Sequence, residues 1–308
     1  MDSKLLSYIL KRTLLTIVTI WLIITITFFV MNMIPGGPFL SEKAITQEVQ
    51  DVLNAKYGLD KPLVVQYANY LKNLLHFDFG PSIKLRGREV IEVIMEGFQV
   101  SGKIGLMAAG IALVLGVSFG SIAAINRNKL IDNTIMVSTT AFVAMPSFVI
   151  GSFLLLLFCV YWQVLPSVGS EPGGLVLPVI ALALYPTAYI TRLTRSSMLD
   201  VLQQDYIRTA NAKGVSYVLM IYKHALKNAL IPVITYAGPM IAYILTGSLV
   251  VEKIFSVPGL GRQFINSITN RDYPLIMGTT IFLATLVVLM TLVSDLMYKV
   301  VDPRIDFS

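Results

Sequence analysis

An all-α, polytopic membrane protein, with six membrane-crossing helices and a small helical subdomain outside the bilayer, is the fold class this sequence predicts. Three observations predict it. The 308-residue chain is 55% hydrophobic and 14% charged, with mean hydropathy +0.72, whereas a soluble domain carries about 25% charged residues. Six apolar stretches approach the roughly 20 residues needed to cross a hydrocarbon core of about 30 Å. Lysine and arginine gather in alternate connections, as they do when short basic loops stay inside. The same figures exclude a disordered chain, which needs low hydrophobicity and high net charge. A single cysteine, Cys159, excludes an internal disulfide and a zinc cluster built on cysteines.

The predicted spans are residues 13–34, 104–125, 137–161, 173–191, 228–251 and 273–298, the last broken only by Asp295. The first could be mistaken for a secretory signal, because Lys4, Lys11 and Arg12 precede it. Its apolar run of 22 residues exceeds the about 7–15 of a signal peptide, and it ends in Ile34-Pro35-Gly36-Gly37-Pro38 without a small-residue cleavage site. It reads as a retained anchor. With the N-terminus in the cytoplasm, the inside connections hold Lys4, Lys11, Arg12, then Arg127 and Lys129, six basic residues in 192–230, and finally Lys299 and Arg304. The short outside loops hold only Lys253, Arg262 and Arg271. Both termini are therefore expected inside, and the net charge of +6 reads as a topology signal and not as a nucleic-acid surface.

The expected organisation is a cytoplasmic start and first helix over 1–34, an extracytoplasmic subdomain over 35–103, and a core over 104–308. Within the subdomain, Glu42 to Tyr57 is amphipathic and stops at Gly58. Pro62 then suits the first position of a helix over 64–75, with Val64, Tyr67, Leu71 and Leu74 on one face.

The inner segment 192–230 has six basic residues against Asp200 and Asp205. Gly214 follows a helical stretch where a left-handed turn would end it. Ser216 is placed to N-cap a second helix through Asn228, on which Lys223 and Lys227 share a face. Two short helices hinged by a glycine make a knob whose mixed polar surface suits a protein partner better than lipid, which favours a denser basic run.

Catalytic signatures are scarce. Gly97-Phe98-Gln99-Val100-Ser101-Gly102-Lys103-Ile104 imitates a phosphate loop, but Ile104 stands where the Mg²⁺-binding hydroxyl belongs and opens a span. His76 and His224 fall on opposite sides of the expected membrane and cannot share a metal. Asp295, four residues before Lys299, reads as an interfacial ion pair. Charged mid-membrane sites of ion-coupled transporters are not evident, so an energy source outside the chain is expected.

Against that background the segment Asp205-Tyr206-Ile207-Arg208-Thr209-Ala210-Asn211-Ala212-Lys213-Gly214-Val215-Ser216, followed by K-H-A-L-K-N-A-L-I-P, resembles the EAA loop of binding-protein-dependent ABC importer permeases. K-Y-G-L-D-K-P-L-V-V-Q-Y at 56–67, A-M-P-S-F-V-I-G at 144–151, L-P-S-V-G at 165–169, V-E-K-I-F-S-V-P-G-L-G-R at 251–262, N-R-D-Y-P-L at 270–275 and D-P-R at 302–304 are similar to the oligopeptide and dipeptide branch, nearest its B-type subunits. The resemblance implies a type I ABC importer permease fold and a role in peptide import by alternating access. It also implies a second related permease as heterodimer partner, two cytoplasmic ATPases that carry the ATP and Mg²⁺, an extracytoplasmic peptide-binding protein, and a bacterial-type inner membrane. No cofactor or catalysis is expected on this chain. Nickel, glutathione or another solute are alternative cargoes, and an ion-coupled carrier is a more distant alternative. Carried over by residue, the resemblance puts Asp205, Tyr206, Arg208, Thr209, Ala210, Lys213 and Gly214 at the ATPase-docking surface, although Arg208-Thr209-Ala210 stands where the general motif has Glu-Ala-Ala. It marks Pro258, Gly259, Gly261, Arg271 and Asp272 as an outer motif. Separately, Met145-Pro146-Ser147 and Thr246-Gly247-Ser248 could line a path, since prolines, glycines and small hydroxyls suit irregular backbone around a cavity. Packing by small residues is the equal alternative.

Overall fold

The computed structural model describes residues 3–34, 51, 54, 55, 58–245 and 249–301, excepting the side chains of 3–8 and 294–301. Apart from residues 51, 54 and 55, the expected helix over 42–57 lies outside the residues so described, as do Thr246-Gly247-Ser248, the side chains of the Asp295–Lys299 pair and the D-P-R ending. Five described helices are long and apolar enough to cross a membrane: Ile9–Met33, Val90–Ile125, Val176–Leu202, Ile231–Ile254 and Tyr273–Val293. A sixth crossing is available if Leu130–Ala144 and Ser147–Tyr161, bent by 101°, count as one span. Among the described residues no strand is formed, and Pro81 and Glu89 share only an isolated bridge.

Several boundaries differ from the sequence expectation for definable reasons. The span expected over 137–161 is broken because Pro146 has no N–H to continue the helix and forces Met145 into extended geometry, at φ −87° and ψ 125°. The helix expected from 104 begins at Val90 and runs for 36 residues. Its first turns are held by protein, since Val90, Val93 and Ile94 are buried with Leu260 and Leu275. Pro62 sits one position before the helix Leu63–Leu74 rather than at its first residue, and Val64, 72% exposed, is off the inward face.

The chain divides into two compact units. The first comprises residues 1–100 and 258–288. Here the helix Leu63–Leu74 lies on the first membrane helix: Phe28 packs on Tyr67 and Tyr70 at ring separations of 5.3 and 5.8 Å, and Thr25 Oγ1 meets the Tyr67 hydroxyl at 2.6 Å. Met31, Ile276 and Met277 complete the cluster. Burial pushes the Tyr70 phenol up from its ordinary pKa. The remainder of the first helix keeps Leu10, Leu14, Ile17 and Ile26 exposed, as a lipid-facing surface requires.

The second unit comprises residues 101–257 and 289–308. Its helices approach through small residues, the device that lets backbones close up where lipid removes the hydrophobic driving force. A Cβ added to Gly116 would lie 2.6 Å from Ile190 Cγ2, and one on Gly120 would lie 2.5 Å from Thr194 Cβ and 2.6 Å from the Thr191 carbonyl. Buried Glu252 accepts a 2.7 Å hydrogen bond from Ser101 Oγ. Gly110, on the same helix as Gly120, has nothing within 4 Å of such a Cβ. Gly120→Leu should therefore cost about 3 kcal/mol of stability by overpacking, whereas Gly110→Leu should be near neutral, as read by thermal unfolding of the purified protein in detergent.

Candidate functional site

The inner segment builds its knob as its residues dictate. The helix Asp205–Ala212 ends through two reversed hydrogen bonds, Gly214 N–H to the Asn211 carbonyl at 3.0 Å and Val215 N–H to the Ala210 carbonyl at 3.2 Å. This closure needs a left-handed residue, and Gly214 supplies it at φ +77°. Tyr217–Leu219, a π-helical run Met220–Leu226 and Lys227–Ala229 form the second arm. Ser216 occupies the N-cap position, but its side chain makes no capping bond; the cap expected of its hydroxyl is absent. The π winding is explained by what it buries. Nine residues of regular α-helix rotate by about 900°, half a turn out of register, yet Met220 and Ala229 both enter the core with Ile221 and Ala225. The wider π turn brings them to one face.

That core, with Ile207, Met198 and Ala124, fixes which expected docking residues are available. Asp205, Tyr206, Arg208, Thr209, Lys213 and Gly214 are exposed, as are Lys223 and Lys227 on the other arm. Ala210 is not: at 9% exposure it faces inward, so it shapes the knob rather than its outer surface. Asn228 Nδ2 donates to the Tyr206 hydroxyl at 2.8 Å and ties the two arms together.

The knob hangs on the helix Val176–Leu202, and that helix is fastened to Leu130–Ala144 by a pair that sequence reasoning missed. Arg195 grips Asp132 with both ends of its guanidinium, Nε to Oδ1 at 2.6 Å and Nη2 to Oδ2 at 2.7 Å. Asp132 is 1% exposed, and its Oδ2 also accepts the Asn128 N–H at 2.9 Å, with Asn128 left-handed at φ +62°. The signal in the sequence is a carboxylate at the start of an otherwise uncharged stretch; Arg195 stands there only as one of the six basic residues of 192–230.

Above this clasp, a cavity of about 620 Å³ opens where Leu130–Ala144 ends. Met145, Pro146 and Ser147, expected along a path, line it together with Tyr185, Pro186, Tyr236, Pro239 and Tyr243. None of its described lining side chains carries a charge. Tyr189 stacks on Tyr236 at 4.3 Å. The three lining tyrosines were not singled out from sequence, because aromatic residues in an apolar span read equally as packing.

The outer motif forms part of the first unit. Gly259 and Gly261 are buried and Pro258 is exposed. Gly259 stands at the N-cap of Leu260–Asn270, whose start is pressed so closely on Gly97 that a Cβ there would lie 2.9 Å from Leu260 Cα. The imitation phosphate loop is thus interior helix, and its first glycine is a contact point. Arg271 ends the helix at φ +56°. Asp272, 1% exposed, accepts from the Ser82 hydroxyl, from the N–H groups of Ile83 and Lys84 at 3.2 and 3.4 Å, and from that of Leu275 at 3.4 Å.

Residues 116–307 match the family of the binding-protein-dependent transport system inner membrane component, and residues 5–81 match the N-terminal region of such membrane components. The chain belongs to this family. It is 47% identical to the dipeptide transport system permease protein DppB of Bacillus subtilis, covering 97% of each chain. It is 44% identical to the oligopeptide transport system permease protein OppB of Haemophilus influenzae and 42% identical to that of Escherichia coli, in both cases over 98% of this chain and 100% of the relative. Among solved structures, the MetNI methionine ABC transporter in inward-facing conformations is similar with TM-score 0.55 at 17% identity, covering 68% of this chain and 97% of that one. An amino acid ABC transporter is similar with TM-score 0.51 at 20% identity, covering 70% and 95%. These likenesses bear out the type I permease fold. The protein is a multi-pass permease subunit of an ABC transport system.

The clasp makes a stability prediction. Asp132→Ala strands a mostly buried guanidinium and should cost the permease about 3 kcal/mol, while Asp132→Ala with Arg195→Met should cost clearly less. The unfolding temperatures of the two variants in detergent check this.

Proposed function

We propose that this permease conducts peptides, and that it forms half of a pore with a second, related permease. Its knob docks into a cleft of one of two cytoplasmic ATPases, which hold the ATP and Mg²⁺. An extracytoplasmic binding protein delivers peptide to the outer segments that include 36–100 and 252–275. Both termini lie in the cytoplasm of a bacterial-type cell. The observation that carries the cargo is the near full-length likeness to permeases named for dipeptides and oligopeptides.

The coupling role draws support from the geometry of the second unit. A rigid, exposed knob is continuous with Val176–Leu202, whose Tyr185 and Pro186 line the cavity. ATP-driven closure of the motor would displace the knob, and the Asp132–Arg195 clasp would carry that displacement into the bent helix pair. Closure then shifts the pore between outward- and inward-facing states to the extent that the motor binds the two differently.

Two measurements test the proposal. Gly214→Val places a β-branched residue at φ +77°, at a penalty of ~1–2 kcal/mol, and should weaken ATPase co-purification about tenfold; undiminished assembly and uptake would remove Gly214 from the coupling surface. In the second, single cysteines introduced across 203–230 of a Cys159→Ser background should resist a membrane-impermeant maleimide in intact cells and react in inverted vesicles. The opposite pattern would put the knob outside and end the coupling scheme.

A further inference from the structure

Three prolines from three different helical segments meet at the same cavity: Pro146, Pro186 and Pro239. Each lacks the N–H that would bond the carbonyl four residues earlier. The carbonyls of Phe142, Leu182 and Thr235 thereby lose their regular helical partner, and of these three residues Leu182 lines the cavity. At Pro146 the effect is larger, because the 15-residue helix Leu130–Ala144 ends there and its last carbonyls have no next turn to close on them. Met145 N–H closes on Ala141. Among the described residues, no main-chain N–H from outside the helix closes on Phe142, Val143 or Ala144, and the last two line the cavity. The negative end of that helix dipole points the same way.

Side chains do not cancel this bias. The cavity presents phenols, thioethers, one serine hydroxyl and aliphatic groups, and its described lining contains no lysine, arginine or histidine that could occupy the carbonyls. Nor does it contain a carboxylate that would select a basic cargo side chain. The chemistry that remains is an acceptor-rich backbone in an apolar wall.

We infer that this cavity is a recognition site for N–H donors of a peptide main chain, read by the carbonyls of Val143, Ala144 and Leu182, which line it without a regular helical partner, and indifferent to the identity of the side chains. The inference rests on the peptide-cargo reading and assigns it a site and a selection rule. Ammonium at a peptide N-terminus is the strongest donor of this class, because a charged hydrogen bond is roughly twice as strong as a neutral one. Side chains would lie against Tyr185, Tyr236 and Met240, surfaces that accept many shapes.

The experiment uses the complete transporter, reconstituted with both permeases, the ATPases and the binding protein. Uptake of radiolabelled tri-alanine is measured beside uptake of tri-alanine methylated at its second amide nitrogen, which removes one N–H. Pro186→Ala supplies a new N–H to the Leu182 carbonyl, a change that favours helix formation, and is assayed with the same binding protein as wild type. The preference of the binding protein therefore cancels between the two. Relative to wild type, Pro186→Ala should lower the ratio of tri-alanine to methylated uptake by about three- to tenfold, the value of one hydrogen bond. Equal losses of both peptides, or an unchanged ratio in this variant, would overturn the site. Failure of the wild-type complex to take up tri-alanine would instead overturn the peptide reading beneath it.

Discussion

A backbone inside a bilayer has no water to bond with, so each N–H and C=O in the hydrocarbon region has to be satisfied by the chain itself or lie beside a cavity. Most of this permease obeys by being long helix. The exceptions are concentrated: Met145 is extended ahead of Pro146, and Pro186 and Pro239 interrupt two further helices around one space. Dispersed through the bundle, three such interruptions would each leave an unsatisfied carbonyl in apolar surroundings, at a cost of several kcal/mol apiece. At the common cavity, the carbonyl-bearing residues Val143, Ala144 and Leu182 line a place where a polar occupant can meet them. The cavity in the second unit thus lies where regular helical hydrogen bonding fails.

Movement at that cavity has to come from an element stiff enough to transmit it. The knob is held by two constraints that act together: a glycine-closed helix end and a π-wound second arm, both burying residues in one core of Ile207, Met220, Ile221, Ala225 and Ala229. The bidentate Asp132–Arg195 pair adds a directional link at the base of the bent helices. Its geometry is fixed at both carboxylate oxygens, so a rotation of one helix cannot occur without either moving the other or separating two mostly buried charges. A clasp of that kind favours rigid-body motion over local bending.

The membrane spans, the glycine hinge and the family were all legible in the sequence, because each rests on a local pattern: hydropathy over about 20 residues, a left-handed stop at Gly214, and an extended motif. What escaped depends on partners distant in sequence. Asp132 and Arg195 are 63 positions apart, and neither residue carries a sign of the other. Gly97 was recognised as part of a conspicuous string whose real use is to let Leu260 approach. Ala210 belongs to the coupling motif by position, yet only the packed knob reveals that it faces inward. Pro146 was singled out from sequence as a path residue, but its convergence with Pro186 and Pro239 is a property of three helices at once.

This difference also separates what the knob and the cavity can each specify. An exposed surface of charges and tyrosines, such as the knob presents, can discriminate among protein partners by complementarity, since misplaced like charges are costly across an interface. The cavity has no such means. Without a charged side chain in its described lining it cannot reject cargo by the sign of a substituent through direct pairing, and apolar pockets discriminate poorly between similar shapes, by about 1–3 kcal/mol per methylene. Backbone acceptors, in contrast, lose a whole hydrogen bond when a donor is missing. A site built from released carbonyls is therefore strict about the main chain and tolerant of what hangs from it, which is the combination a carrier of varied peptides requires.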